Sequence, residues 1–270
     1  MIHIYYLNVD DLQDAAIRER FLPQLSEYRQ KKVQAMRFPE GKAESLGVGL
    51  LLDHALRRWR VADEDTLQSV SAGGRGTLQD VPAGGRGTLL CEKMMTIALG
   101  EQGKPFFRDH PEIHFSLSHT KHWVMAAVSD HPVGCDIETI DRHDDDRKPS
   151  RTSSCKPQRI AERFFSPQEN SWFLSFPEGN RSTAFTRIWT MKEAVIKLSG
   201  KGLSEGLSGF TVDPDKLTVS RASSGQSISL WGSAPVPGCL ASAAWHETGT
   251  PETITETIVS LEELSAGHYR

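Results

Sequence analysis

Cysteine is scarce in this chain of 270 residues, and the four present (Cys91, Cys135, Cys155 and Cys239) share no spacing that suits a disulfide framework or a zinc site. Ten histidines are likewise spread without a ligand pattern. Long apolar runs are missing too. The longest, around Leu46 to Leu52, is far shorter than the ~20 residues a bilayer crossing needs, so no membrane association is expected. Met1 to Tyr6 shows no basic stretch ahead of an apolar one, which predicts no secretory leader and a cytoplasmic location. Positive charge is not in excess: 31 Lys and Arg stand against 35 Asp and Glu, a net charge of −4, so nothing draws the chain to nucleic acid in general. What remains, with 38% hydrophobic residues, is a globular protein with one large core or two modest ones.

Against that background one segment stands out, Trp189-Thr-Met-Lys192-Glu193-Ala-Val-Ile-Lys197. As a helix it places Trp189, Glu193 and Lys197 on one stripe, while Ile188, Met191, Val195 and Leu198 form an apolar stripe that can face a core. A carboxylate beside cations on a rigid element suits work on phosphate; an ordinary solvated Glu-Lys pair is the plainer explanation. A second acidic segment, Val133-Gly134-Cys135-Asp136-Ile137-Glu138, reads as a strand. Alternation puts Asp136 and Glu138 on one face and Cys135 and Ile137 on the other. Two carboxylates so close repel unless a cation sits between them, and a hard oxygen-seeking ion, Mg2+, meets that need. Gly134 is expected to let a bulky ligand approach the backbone. Two weaker features are the Gly103-Lys104-Pro105 turn and a strand, Ile113 to His119, that ends on Ser118 and His119.

In this order the four motifs resemble the 4'-phosphopantetheinyl transferases of the Sfp type, and Arg37-Phe38, Phe164-Phe165-Ser166-x-x-Glu169 and Gly200-Lys201-Gly202-Leu203 extend the likeness to about residues 1–250. The resemblance implies transfer of the phosphopantetheine arm of coenzyme A to a serine of an apo acyl or peptidyl carrier protein, with release of adenosine 3',5'-bisphosphate. It implies Asp136, Glu138 and Glu193 as Mg2+ ligands, Glu193 as the group that takes the serine proton, and Lys197 as a catalytic-helix lysine steadying phosphate charge. Lys104, Ser118 and His119 match positions that contact the phosphates of coenzyme A, and Lys31 is the best match for a lysine reaching its 3'-phosphate. Lys192 is a lower-ranked phosphate contact, about 100° around the helix from Glu193. A basic residue usual just before the leucine-rich helix is not evident, because Glu44 and Ser45 hold that place. Glu169 is assigned to helix capping, three residues after Ser166 and following Pro167.

Along the chain the pattern predicts a strand from Ile2 to Val9, a helical region from Asp11 to Met36 interrupted at Pro23, a helix from Pro39 to about Trp59, and strands either side of the Ser118-His119 corner. Beyond Asp130 it predicts the acidic strand, a helix around Ile160 to Phe164, a capped helix from Pro167, the Ser182–Ser199 helix, and strands at Gly209–Val212, Ser227–Trp231 and Cys239–His246. The fold class is thus α+β, with residues 1–129 and 130–270 as subdomains; the resemblance implies that they form a pseudo-dimer, each a small antiparallel sheet on helices, with the active site in the groove between them. Two inserts interrupt it: a tandem repeat, Ala72-Gly-Gly-Arg75-Gly-Thr-Leu78 recurring as Ala83 to Leu89, and a charged, serine-rich stretch from Asp141 to Pro157. Two other functions compete with the transferase: a carrier-protein or coenzyme A binding module without catalysis, and a magnesium-dependent nucleotide hydrolase. The duplicated halves favour a monomer.

Overall fold

The computed structural model describes residues 1–71, 93, 95–140, 156–202, 206–221, 227–247 and 253–266. The tandem repeat beyond Ser71, the charged insert up to Cys155, and Cys91 lie outside them. Strand β1 (Ile2–Asn8) is apolar on both sides and serves as a central strand. Its Ile2, Ile4 and Tyr6 enter one core while Tyr5 and Leu7 enter another. It pairs antiparallel with β5 (Trp123–Ser129), which pairs antiparallel with β4 (His114–Thr120). A short hairpin, β2 (Ile97–Leu99) with β3 (Pro105–Phe107), carries the Gly103-Lys104 turn, where Gly103 takes φ 86°.

The predicted N-terminal helical region is realised as α1 (Ala15–Phe21) and α2 (Glu27–Ala35), separated by a 3-10 turn at Leu22–Gln24 that contains Pro23. Asp14 caps α1 by accepting from Ala16 N and Ile17 N at 2.8 and 3.1 Å. Helix α3 (Pro39–Ser71) runs well past the predicted end near Trp59, and its leucines cover the outer face of the first sheet.

The second sheet has the order β6-β10-β9-β8-β7, with β6 (Val133–Thr139), β7 (Phe210–Asp213), β8 (Thr218–Arg221), β9 (Ile228–Ser233) and β10 (Cys239–His246). Its outer face is covered by α4 (Lys156–Phe164), α5 (Pro167–Leu174) and α6 (Arg181–Ser199). The inner faces of both sheets meet in a third core of Ile2, Ile4, Tyr6, Met125, Val133, Cys135, Ile137 and Ala243, so Cys135 is a buried packing residue as its alternation predicts.

The C-terminal segment departs from a division at 129/130. Strand β11 (Ile254–Val259) returns to the first sheet and pairs in parallel with β1, and α7 (Leu261–Ala266) packs its Leu264 into the α3 core. That sheet is therefore mixed rather than purely antiparallel. Among the described residues no helix is long and apolar enough to cross a membrane.

Candidate active site

On β6 the positions that face away from the inter-sheet core are Gly134, Asp136 and Glu138. Gly134 lies against α6: a Cβ built there would sit 2.0 Å from Ala194 O and 2.3 Å from Leu198 N. The glycine thus admits a helix, not a ligand, which corrects the expectation for this position. Close contact at Gly134 brings the next residues of β6 under the side chains of α6. Lys197 Nζ donates to Asp136 Oδ1 at 2.7 Å and to Ser118 Oγ at 2.8 Å, and Ser118 Oγ donates to the same Asp136 oxygen at 2.7 Å.

Ser118 belongs to a row of hydroxyls on β4, at every second residue as the pleat requires. Ser116 Oγ accepts from Cys135 N at 3.0 Å, and Thr120 Oγ1 accepts from Thr139 N at 3.2 Å and reaches Glu138 Oε2 at 3.5 Å. The row fastens β4 along β6 and so aims the two carboxylates. Ser116 and Thr120 escape a reading based on motifs, although the period-two run of hydroxyls in Ser116-Leu-Ser118-His-Thr120 was the available signal.

Electrostatics make the corner acidic and strained. Burial, then Asp136 and Glu193, push Glu138 up to about 7. Burial and Asp136 likewise hold Glu193 above the ordinary carboxylate range, against the opposing pull of Lys197. Burial disfavours the Lys197 ammonium, yet Asp136, with smaller help from Cys135 and Glu193, more than offsets that and holds it above the usual lysine value. Glu193, Asp136 and Glu138 therefore feel one another. Among the described residues, however, no group of three His, Cys, Asp or Glu side chains is already arranged as a metal cage. The donor set nevertheless suits a hard cation: Asp136 Oδ2 is buried with no hydrogen-bond partner, and the repulsion that raises Glu138 and Glu193 is what a divalent charge relieves.

The other sequence-predicted residues fall in three places. Lys104 reaches across to α6 and β6, donating to Leu198 O at 3.1 Å and Val133 O at 3.0 Å, and burial lowers it to about 8. It also lines a cavity of about 260 Å³ with Pro105, Phe115, Ile196, Lys197 and Gly200. His119 points to the opposite side of β4 from Ser118 and meets Glu44 of α3, Nδ1 to Oε2 3.4 Å, so the acid noted at that place in the sequence stands beside it. Lys31 is 72% exposed and pairs with Glu27, whereas Arg29 is buried; Lys32 is exposed, its ammonium disfavoured by partial desolvation and by Arg29.

Lys192 requires a correction. Its ammonium is fully buried and bonded to Glu169 Oε1 at 2.7 Å, Oε2 at 2.9 Å and Phe210 O at 2.9 Å, so it cannot face a phosphate. Glu169 completes the capping box with Ser166 as predicted, and holds Lys192 as well.

Fold and site together define a mixed α/β protein whose two sheets meet at an acidic corner bridged by a lysine. The sequence profile of the 4'-phosphopantetheinyl transferase superfamily matches residues 132–249. The chain is 34% identical over 167 residues to 4'-phosphopantetheinyl transferase Sfp of Bacillus subtilis (strain 168), covering 61% of this chain and 68% of that protein. It is 32% identical over 160 residues to AcpT of Salmonella typhi, covering 59% and 72%. A more similar stretch, 49% identical over 109 residues, matches the transferase psf-1 of Bacillus pumilus, but covers 40% of this chain and 41% of that one. Against psf-1 and two further curated transferases of this family, the match spans about two fifths of the relative's length. The chain belongs to the 4'-phosphopantetheinyl transferase superfamily.

Proposed function

We propose that this chain transfers 4'-phosphopantetheine from coenzyme A to a serine hydroxyl of an apo acyl or peptidyl carrier protein. The observation that carries the proposal is the Lys197 ammonium held on Asp136 and Ser118, one helical turn from a Glu193 whose proton affinity is raised. In the reaction the serine oxygen bonds to the phosphorus bearing pantetheine. The bond from that phosphorus to the bridging oxygen breaks, and adenosine 3',5'-bisphosphate leaves with the electron pair. Glu193 takes the serine proton; burial makes it a better base than an ordinary carboxylate. Lys197, kept protonated by Asp136, faces the charge that develops on the leaving phosphate. Most of the acceleration comes from positioning and charge neutralisation, as in other phosphoryl transfers.

Asp136, Glu138 and Glu193 would hold Mg2+, which when bound neutralises pyrophosphate charge and polarises the phosphoryl group. The cavity beside Lys104 and Lys197 accepts part of coenzyme A, while Ser118, His119 and the α2 lysines, Lys31 among them, contact its phosphates. Residues from both sheets contribute, in keeping with a groove between two halves of a pseudo-dimer acting as a monomer. Incubation of the chain with coenzyme A, Mg2+ and an apo carrier tests the proposal. A mass gain on the carrier serine supports it. Free adenosine 3',5'-bisphosphate without that gain indicates hydrolysis, and neither product indicates binding alone.

A further inference from the structure

Lys192 and Glu169 form a node that the phosphate chemistry does not use. Both side chains are fully buried, and every strong valence is met. Glu169 Oε1 accepts from Lys192 Nζ at 2.7 Å and from Val212 N at 2.7 Å, while Oε2 accepts from Lys192 Nζ at 2.9 Å and from Ser166 N at 2.7 Å. Lys192 Nζ spends its remaining proton on Phe210 O at 2.9 Å and lies over the Phe210 ring, 4.5 Å from the centroid. Three elements, the start of α5, strand β7 and the middle of α6, are thus tied at one point, one residue before Glu193.

A buried ion pair is a costly way to hold a helix, because apolar side chains of the same size often give equal or greater stability. What the pair adds is direction. A leucine tolerates a small rotation of the helix about its axis, whereas an ammonium bonded to three fixed oxygens does not. Side-chain ends stand about 5–6 Å from a helix axis, so a rotation of ~10° moves the Glu193 carboxylate by ~1 Å. Displacements of that size in a reacting group cost roughly a hundredfold in rate.

We propose that the Lys192–Glu169 pair is a positioning device that fixes the rotation of α6, and through it the placement of Glu193 and Lys197 against Asp136. The inference rests on the proposed transfer for its kinetic consequence and on geometry alone for its structural one. The test uses the full chain with two variants. Lys192→Met/Glu169→Gln removes both charges at nearly constant volume; Lys192→Arg keeps the charge but forces a longer group into a filled slot. Each is measured for melting temperature, for kcat and KM with coenzyme A and an apo carrier, and by crystal structure.

The expected result is a folded protein in which kcat falls roughly a hundredfold, KM for coenzyme A stays within about twofold, and the Lys197 Nζ to Asp136 Oδ1 contact is lost. Normal kcat in either folded variant overturns the inference, and so does a fall in kcat with α6 and the Lys197–Asp136 contact unmoved. If the double variant does not fold, Lys192→Arg decides alone. If the wild-type chain modifies no carrier, the functional reading fails, and the crystal structures still decide whether the pair sets the helix.

Discussion

Gly134→Ala should disable the site from a distance. A methyl at Gly134 would sit 2.0 Å from Ala194 O, 2.3 Å from Leu198 N and 2.9 Å from Leu198 Cα, all backbone atoms of α6. To reach ordinary contact the helix must lift by about 1.4 Å, since non-bonded atoms settle near 3.4–4 Å. No side chain can rotate out of the way, and α6 is held on its far side by the Lys192–Glu169 node. The overpacking should cost about 1–3 kcal/mol, read as a fall in melting temperature of about 2–4 °C for each kcal/mol. The lift also stretches the 2.7 Å Lys197–Asp136 contact past hydrogen-bonding range. Transfer to an apo carrier at saturating coenzyme A should therefore drop roughly a hundredfold, more than the loss of folded protein explains. A Gly134→Ala protein with wild-type melting and turnover would refute this account of how β6 and α6 meet.

Glu193→Gln should abolish transfer while leaving the melting temperature equal or higher, because it removes a charge that Asp136 repels; residual turnover near wild type would contradict the role. Asp136→Ala should abolish transfer and let Glu138 titrate closer to an ordinary carboxylate, measured by NMR on labelled glutamate. In cation-free protein, Glu138 binds its proton up to about pH 7 when folded but only to about 4.5 when unfolded, so its contribution to stability is full below 4.5 and is lost as pH rises through 7. Added Mg2+ should accordingly raise the melting temperature at pH 8 and barely at pH 5, and equal effects at both would count against a carboxylate site. Lys104 is lowered to about 8 from 10.5, so its burial penalty is constant below pH 8 and relieved as pH rises toward 10.5. The melting difference between wild type and Lys104→Met should therefore move in favour of wild type across that interval, and a flat difference would place the ammonium in solvent.

Local pattern made much of this molecule legible. The alternation in Val133 to Glu138 told inward from outward side chains correctly, and the apolar stripe of α6 packs as the 3.6-residue period requires, with Ile188, Met191 and Val195 fully buried. Capping of α5 was readable because Ser166, Pro167 and Glu169 act within one turn. Tertiary partners were not readable. In sequence Lys192 reads as a lower-ranked phosphate contact, but α6 lies between α5 and the sheet, whose strand β7 supplies Phe210, leaving Thr190 and Lys192 as buried as the leucines. Gly134 shows only that something approaches, not that it is α6. Strand β11 was missed although Ile254, Thr255, Thr257, Ile258 and Val259 are strand-forming residues, because its four exposed positions weaken any apolar alternation and its partner β1 lies some 250 residues away.

The central claim is that α6 and β6 join Glu193 to Asp136 and Glu138 around one cation. The most direct measurement is an anomalous difference map from crystals soaked in manganese(II). The account predicts one strong peak bonded to Asp136 Oδ2 and to carboxylate oxygens of Glu138 and Glu193. A peak elsewhere, or none at concentrations of manganese(II) that support carrier modification, would contradict it.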